Sequence, residues 1–152
     1  MSLRETFNTV MKEALKAGDK PRLSAVRLIN AAVKDRDIEA RGAGKGQASE
    51  DEIVALLQKM VKQRHESAGL YEKGARPELA AQERAEIAVI SSFLPQQLGE
   101  SEVAAAIKEA IIATGAAGIK DMGKVMAALK ERHAGRMDFS KAGPAVKAAL
   151  SG

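Results

Sequence analysis

The stretch SLRETFNTVMKEALKAG, residues 2–18, indicates the class of fold because it encodes both ends of a helix. Ser2 followed by Glu5 is the capping box that begins a helix, and Gly18 is the residue type that commonly ends one. Between them, apolar residues recur at intervals of three and four: Leu3, Phe7, Val10, Met11, Ala14 and Leu15. We therefore expect an amphipathic helix over this stretch.

Three further long helices are predicted before residue 98. Their starts are marked by Asp19, Ser49 and Pro77, and their ends by Arg41, Gly74 and Pro95. The glycine-rich segment GAGKGQA, residues 42–48, invites comparison with a phosphate-binding loop. Its glycine spacing fits neither nucleotide-binding pattern and no apolar strand precedes it, so we interpret it as a helix–helix linker.

The helices become shorter after residue 98. Gly115 ends a fifth helix, Asp121 caps a sixth that ends at Gly135, and Asp138 caps a seventh. Pro144 lies too far inside the seventh helix to be accommodated freely, which predicts a kink or a late start. The expected fold is all-α, with a four-helix domain over residues 1–98 followed by a small three-helix bundle over residues 99–152.

Composition and charge limit the functions that this chain of 152 residues can have. Aromatic residues make up 3% and cysteine is absent, which favours helices and removes disulfides, thiolate chemistry and cysteine-based zinc sites. No apolar run approaches the roughly 20 residues of a membrane span, so a cytoplasmic location is expected. The net charge of +4 is shared evenly by the two parts, so an anion site must arise from geometry. We expect no cofactor and no metal.

Three charged residues lie on apolar helix faces. Arg64 interrupts the apolar stripe of the third helix, and Glu83 and Glu86 lie on or near that of the fourth. Paired carboxylates at this spacing could act as general acid and base or contribute to a di-metal site. We favour a structural role instead, in which they neutralise Arg64 and Arg27 on neighbouring helices, because a buried guanidinium needs partners.

The sixth helix predicts the candidate binding surface. On a helical wheel its apolar arc contains Met122, Val125, Met126, Leu129 and His133, and Gly123, Lys124, Ala127 and Lys130 lie on or near the opposite side. Small residues let another backbone approach, and flanking cations together with the helix N-terminus favour phosphate. The alternative is that Gly123 and Ala127 permit tight helix packing while the lysines are simply solvated.

Within this surface each residue has a predicted role. Lys124 and Lys130 are expected to contact phosphates, and Arg136 to contact a phosphate or a base edge. Lys120 and Arg132 add supporting positive charge, and Gly123 allows close approach.

Three segments together resemble the GatB/YqeY family, specifically its small YqeY-like proteins. They are RLSAVRLINAAVKDRDIEAR, KQRHESAGLYEKGARPELAAQERAEIAVISSFLPQQL and MGKVMAALKERHAGRMDFSKAGPAVKAAL, and they span nearly the whole chain. Pro144 is a departure, because such tails usually continue as an uninterrupted helix.

The resemblance implies a function connected with tRNA. The C-terminal part is similar to the tail of the B subunit of glutamine-dependent aminoacyl-tRNA amidotransferases, a part that contacts tRNA and lacks the catalytic parts. YqeY-like domains also occur joined to a glutaminyl-tRNA synthetase. The implied function is a tRNA-interacting accessory protein without catalytic residues of its own, with an aminoacyl-tRNA synthetase or amidotransferase subunit as a further partner. The alternatives are a component of a glutamine-dependent carbon–nitrogen ligase complex and a helical adaptor without RNA contact.

Overall fold

The computed structural model describes residues 2–151, which contain seven α-helices and no strand. The all-α prediction is therefore confirmed. The chain divides into two compact units, and the boundary between them in the sequence falls between Leu94 and Pro95. The sequence predicted this boundary after residue 98.

The first unit contains four helices: α1 (Leu3–Ala17), α2 (Lys20–Gly42), α3 (Glu50–Lys73) and α4 (Pro77–Ser91). Their ends are set by the local signals in the sequence. Ser2 accepts a hydrogen bond from the Glu5 backbone, the Glu5 carboxylate accepts one from the Ser2 backbone, and Gly18 ends α1 in the left-handed conformation at φ 68°. The Asp19 side chain caps α2 in the same way by accepting from the Arg22 backbone.

The core of the first unit is formed by inward residues of all four helices and of the linker before α3. Its buried members are Phe7, Val10, Val26, Ile29, Val33, Ala48, Ile53, Leu57, Met60 and Ile90. The Phe7 ring packs edge-on against Phe93, with ring centroids 5.0 Å apart. α3 packs mainly against α4, and α1 and α4 both pack against α2.

Hydrogen bonds hold the C-terminal end of the glycine-rich linker between α2 and α3 in place. Gly44 and Gly46 adopt left-handed backbone conformations, at φ 77° and 78°, which favour glycine. Ala48 is buried, and its N–H donates to the Asp37 carboxylate over 2.9 Å. Arg4 joins the same cluster by donating to Asp37 at 2.7 and 2.8 Å and to the Ala48 carbonyl at 2.9 Å. These bonds connect α1, α2 and the linker.

The second unit contains α5 (Glu100–Thr114), a 3₁₀ turn (Ile119–Asp121), α6 (Met122–Arg132) and α7 (Phe139–Ser151). Its buried core residues are Ala106, Ile107, Ala110, Val125, Leu129, Met137, Ala142 and Val146. Gly115 ends α5 in the left-handed conformation, at φ 66°, as its position predicted.

Three details of the second unit differ from the predictions. α6 ends at Arg132 rather than Gly135, which lies at φ 74° in the following turn. The Asp121 side chain makes no capping bond to α6, because it accepts from the Ala117 backbone at 2.9 Å instead. α7 begins at Phe139 and continues through Pro144, so a late start is wrong; the Asp138 carboxylate fixes the start by accepting from the Ser140 backbone at 3.0 Å.

Candidate nucleic-acid interface

The packing of α6 determines which of its residues face outward. Val125 and Leu129 are fully buried, and Met122 and Met126 are half-buried beside them. The helical period therefore places Gly123 and Ala127, one turn apart, on the exposed side. We call the exposed residues Gly123, Lys124, Ala127 and Lys130, together with Lys120 of the preceding 3₁₀ turn, the α6 face. Glu131, one turn after Ala127, is also exposed on this side and carries the opposite charge. Arg132 is exposed too, but it lies nine residues after Gly123 and therefore on the opposite side of the helix.

Gly123 is the most informative residue of the α6 face. It is exposed, and a Cβ atom at this position would meet no heavy atom within 4 Å. Close packing inside the described chain therefore does not account for the glycine. A glycine inside a helix costs about 1 kcal/mol relative to alanine. The α6 face thus contains bare backbone for which residues 2–151 supply no packing reason.

The cations of the α6 face are exposed. Lys124 is 69% exposed, and its Nζ lies 4.0 Å from Asp121 Oδ1, the limit for an ion pair. The Ala117 N–H that donates to Asp121 lowers the pKa of this carboxyl, and the charges of Lys124 and Lys120 lower it further. Asp121 is thus ionised at neutral pH and offsets part of the positive charge at the start of α6.

Arg136 occupies a different position from the other predicted contacts. It is half-buried, and its Nε donates to the Gln96 carbonyl at 3.0 Å while its own carbonyl accepts from the Leu98 backbone at 2.8 Å. Arg136 therefore connects the segment before α5 to the turn after α6. Its partner Gln96 lies 40 residues away in the sequence, so no local pattern could have revealed this contact.

His133 lies at the end of α6 and is half-buried. Its backbone N–H continues the helix by donating to the Leu129 carbonyl at 2.9 Å. Its Nδ1 atom is buried and has no hydrogen-bond partner within residues 2–151.

The charged residues predicted on apolar faces lie in the first unit, and two of them form an ion pair. Arg64 Nε donates to Glu86 at 2.8 Å, and its terminal nitrogen donates to the Met60 carbonyl at 3.2 Å. Both side chains of the pair are 16% exposed. Glu83 is half-buried outside this pair, and Arg27 is exposed on α2. Within residues 2–151, no group of three or more His, Asp or Glu side chains is arranged to hold a metal ion.

Sequence reasoning did not predict the Arg4–Asp37 cluster of the first unit. Hydrogen bonds from Arg4 and then from the Ala48 N–H lower the pKa of Asp37 to about 2, and the charges of Arg4 and Arg41 add smaller effects. A second cluster lines a cleft of about 420 Å³ between α2 and α3, where Arg36 bridges Glu39 at 2.7 Å and Glu52 at 2.9 Å.

The chain matches the model of a known protein family. The model of the family described as "Yqey-like protein" matches residues 4–150. The chain belongs to this YqeY-like family. The match extends over both units, and the matched residues include those of the α6 face and of the Arg64–Glu86 pair. A search of curated proteins gave no match to this YqeY-like chain. No helix within its residues 2–151 is long and apolar enough to cross a membrane.

Proposed function

We propose that this protein is a tRNA-interacting accessory protein that contacts tRNA through the α6 face and has no catalytic activity of its own. The observation that carries the proposal is the exposed backbone at Gly123, with Ala127 one turn away and exposed lysines on both sides. A phosphate backbone is wide and negatively charged, so a surface with small side chains and flanking cations suits its approach.

The start of α6 adds to this suitability. The N-terminus of a helix carries a partial positive charge, which favours a phosphate group, and here the first N–H, that of Met122, is already bonded to the Ile119 carbonyl. Lys120 and Lys124 lie at this end, and the Asp121 carboxylate is bonded to the Ala117 N–H, away from the α6 backbone. Lys124 and Lys130 are proposed to contact phosphates, with Lys120 and Arg132 as supporting charge.

The role of Arg136 is proposed in two parts. Its Nε holds the Gln96 segment, which supports the turn after α6. Its remaining guanidinium nitrogens are proposed to reach a phosphate or a base edge, because a planar guanidinium presents several donors. Removing this side chain would change both the fold and the binding, so it is unsuitable for the first test.

The resemblance of the C-terminal part to the amidotransferase tail supports tRNA as the RNA, by analogy. The proposal includes a cytoplasmic location, an aminoacyl-tRNA synthetase or amidotransferase subunit as protein partner, and division into a four-helix and a three-helix domain. The charged residues Arg64, Glu83 and Glu86 are proposed to be structural.

The test is a fluorescence titration of labelled tRNA at several salt concentrations. Replacing Lys120, Lys124 and Lys130 with Gln should weaken binding and flatten the dependence of log affinity on log salt by roughly two to three units, because each lost phosphate contact removes a released counterion. The matched control replaces Lys108, Lys141 and Lys147, which are exposed lysines of the same unit outside the α6 face. It changes the net charge equally and should leave most of the slope in place.

Equal affinity and slope in the α6-face variant and the wild type would overturn the proposal. The adaptor hypothesis would then be favoured by the same bare backbone at Gly123, which equally permits a protein helix to pack closely.

A further inference from the structure

A regular row of four cations lies on α2, in the first unit. Lys20, Arg27, Lys34 and Arg41 follow each other at intervals of seven residues, and all four are exposed. Seven residues advance a helix by about 10.5 Å. They also drift by about 20° around its axis, so the four cations stay on one side of α2 over about 32 Å. We call these four residues the α2 row.

The α2 row is separate from the ion pairs that stabilise the first unit. Those pairs join Arg4 to Asp37, Arg36 to Glu39 and Glu52, Arg64 to Glu86, and Arg84 to Glu72. Within residues 2–151, no member of the α2 row has an ion-pair partner. Arg41 lies one turn after Asp37 and contributes to lowering its pKa, but the Asp37 carboxylate is bonded to Arg4 and Ala48.

The other residues on the side of α2 that carries the row determine how closely a ligand can approach the helix. Ser24 and Ala31 are small and exposed and lie between the first three cations, whereas Ile38, at the same seven-residue interval, is 56% exposed between Lys34 and Arg41. The first half of the row borders a surface groove of about 500 Å³, lined by Lys20, Leu23, Ser24, Arg27 and Leu28. Asp35, next to Lys34, is exposed at the edge of this side. The side is thus predominantly of one charge, and its side chains are small only between Lys20 and Lys34.

We infer that the α2 row is a second contact surface for the phosphate backbone of RNA. The inference rests on the proposed function only in taking RNA as the polyanion, since the residues and the unit are different. A nucleic acid strand presents negative charges at regular intervals over tens of ångströms, and evenly spaced cations on a straight helix match such a strand. The small residues Ser24 and Ala31 allow the strand to lie against the helix between Lys20 and Lys34, and the long side chain of Arg41 reaches past Ile38 to the strand.

The shape of α2 favours RNA over an anionic membrane. A helix that lies in a membrane surface exposes a wide apolar face beside its cations. The apolar face of α2 is instead buried in the core through Ala25, Val26, Ile29 and Val33. Leu28 and Ile38 are its large exposed apolar side chains, 41% and 56% exposed, and they are ten residues apart.

The test replaces all four cations of the α2 row with Gln in the full chain and titrates labelled tRNA against salt. We expect the affinity to fall at least tenfold at about 50 mM salt and the salt slope to decrease by roughly three units, because each contact contributes about 0.7–0.9 to the slope. The matched control replaces Lys12, Arg22, Lys59 and Arg76, two lysines and two arginines that are exposed and lie on α1, on α2, on α3 and just before α4, so no two of them form a row on one helix. It removes the same charge and should change the slope by less than about one unit.

Further variants separate this inference from the proposed function. The Lys120, Lys124 and Lys130 variant should keep the slope contribution of the α2 row, and combining both sets should remove both contributions. If only the α6-face variant loses tRNA affinity and salt slope, the α2 inference is overturned and the proposed function stands. If only the α2-row variant loses them, the α6 face is not the contact surface and the α2 inference stands. If the wild type does not bind RNA, both proposals are overturned.

Two controls distinguish RNA contact from misfolding and from membrane binding. Circular dichroism should show unchanged helicity, since all four side chains are exposed. If the quadruple variant unfolds, the pairs Lys20/Arg27 and Lys34/Arg41 should each lose about half of the slope change, and unchanged slopes in both pairs would contradict the inference. The second control measures binding of the wild type and the quadruple variant to vesicles of phosphatidylglycerol. If the variant loses vesicle binding but retains RNA binding, the α2 row is a membrane contact and the inference is overturned.

Discussion

The two units use their charged side chains differently. In the first unit, Arg4 and Arg64 are partly buried and bonded to carboxylates at 2.7 and 2.8 Å, whereas the pairs of Arg36 with Glu39 and of Arg84 with Glu72 are exposed. At α6 of the second unit, the pair between Lys124 and Asp121 is exposed and 4.0 Å long. Close, partly buried ion pairs stabilise a fold through charge-assisted hydrogen bonds, whereas long, exposed ion pairs contribute little. The difference indicates that Arg4 and Arg64 hold helices of the first unit together, whereas Lys124 of the α6 face remains exposed to solvent.

The largest effect is expected at Arg64. Its replacement by Ala should lower the free energy of unfolding by about 3 kcal/mol, because Glu86 would be left partly buried without its partner. Urea unfolding monitored by circular dichroism measures the change. Lys124→Ala in the second unit is the matched comparison and should shift stability by less than about 0.5 kcal/mol. Equal effects at the two positions would remove the distinction between the units, and tRNA affinity per folded molecule should be unchanged in Arg64→Ala.

The next largest effect is expected at Asp37, where acid should destabilise the first unit over a defined pH range. The folded pKa of about 2 lies below the ordinary value of 3.8, so the ionised carboxylate stabilises the fold. This stability is fully present above about pH 4 and is lost as the pH falls through about 2. Asp37→Asn should cost about 1–3 kcal/mol at pH 7 by weakening the bonds to Arg4 and Ala48.

Urea midpoints measured between about pH 2 and 5 test this assignment. The decline of stability below about pH 4 should be smaller in Asp37→Asn than in the wild type. Asp35→Asn, an exposed position on the same helix, is the control and should follow the wild-type curve. Identical pH profiles for Asp37→Asn and the wild type would show that this carboxyl is not a source of acid sensitivity.

The smallest effect is expected at Gly123 and has the opposite sign. Gly123→Ala should raise the free energy of unfolding by about 1 kcal/mol, because its Cβ enters open space and alanine is the better helix former. Thermal unfolding measures the gain. Gly123→Leu should also fold, yet it should weaken tRNA binding by holding the phosphate backbone away while the salt slope changes little. A Gly123→Leu variant that binds tRNA with wild-type affinity would show that the bare backbone is not used.

Helix ends were predictable because the bonds that determine them are local. The Ser2–Glu5 and Asp19–Arg22 caps join residues three apart, and both are present as the sequence indicated. The error at Asp121 has the same physical origin. Its carboxylate could bond forward to α6 or back to Ala117, four residues earlier, and the turn geometry that selects Ala117 is not visible in the sequence.

The candidate surface was predictable only in part. Helical periodicity separated Lys124 and Lys130 from the buried Val125 and Leu129. Periodicity could not show that a Cβ at Gly123 would meet open space, because that depends on what packs beside the helix. The seven-residue spacing of the α2 row is likewise present in the sequence, but its exposure follows from which side of α2 the other helices cover.

The sequence by itself therefore determined the all-α class, most helix ends and the polarity of each helix face, since these depend on bonds and side chains three to four residues apart. The tertiary structure decided the partners of the charged residues. Arg4 meets Asp37 and Ala48, 33 and 44 residues away, and Arg136 meets Gln96, 40 residues away. Such partners are selected when helices bury their apolar faces, because packing brings some charges into contact and leaves others, such as Lys124, in water.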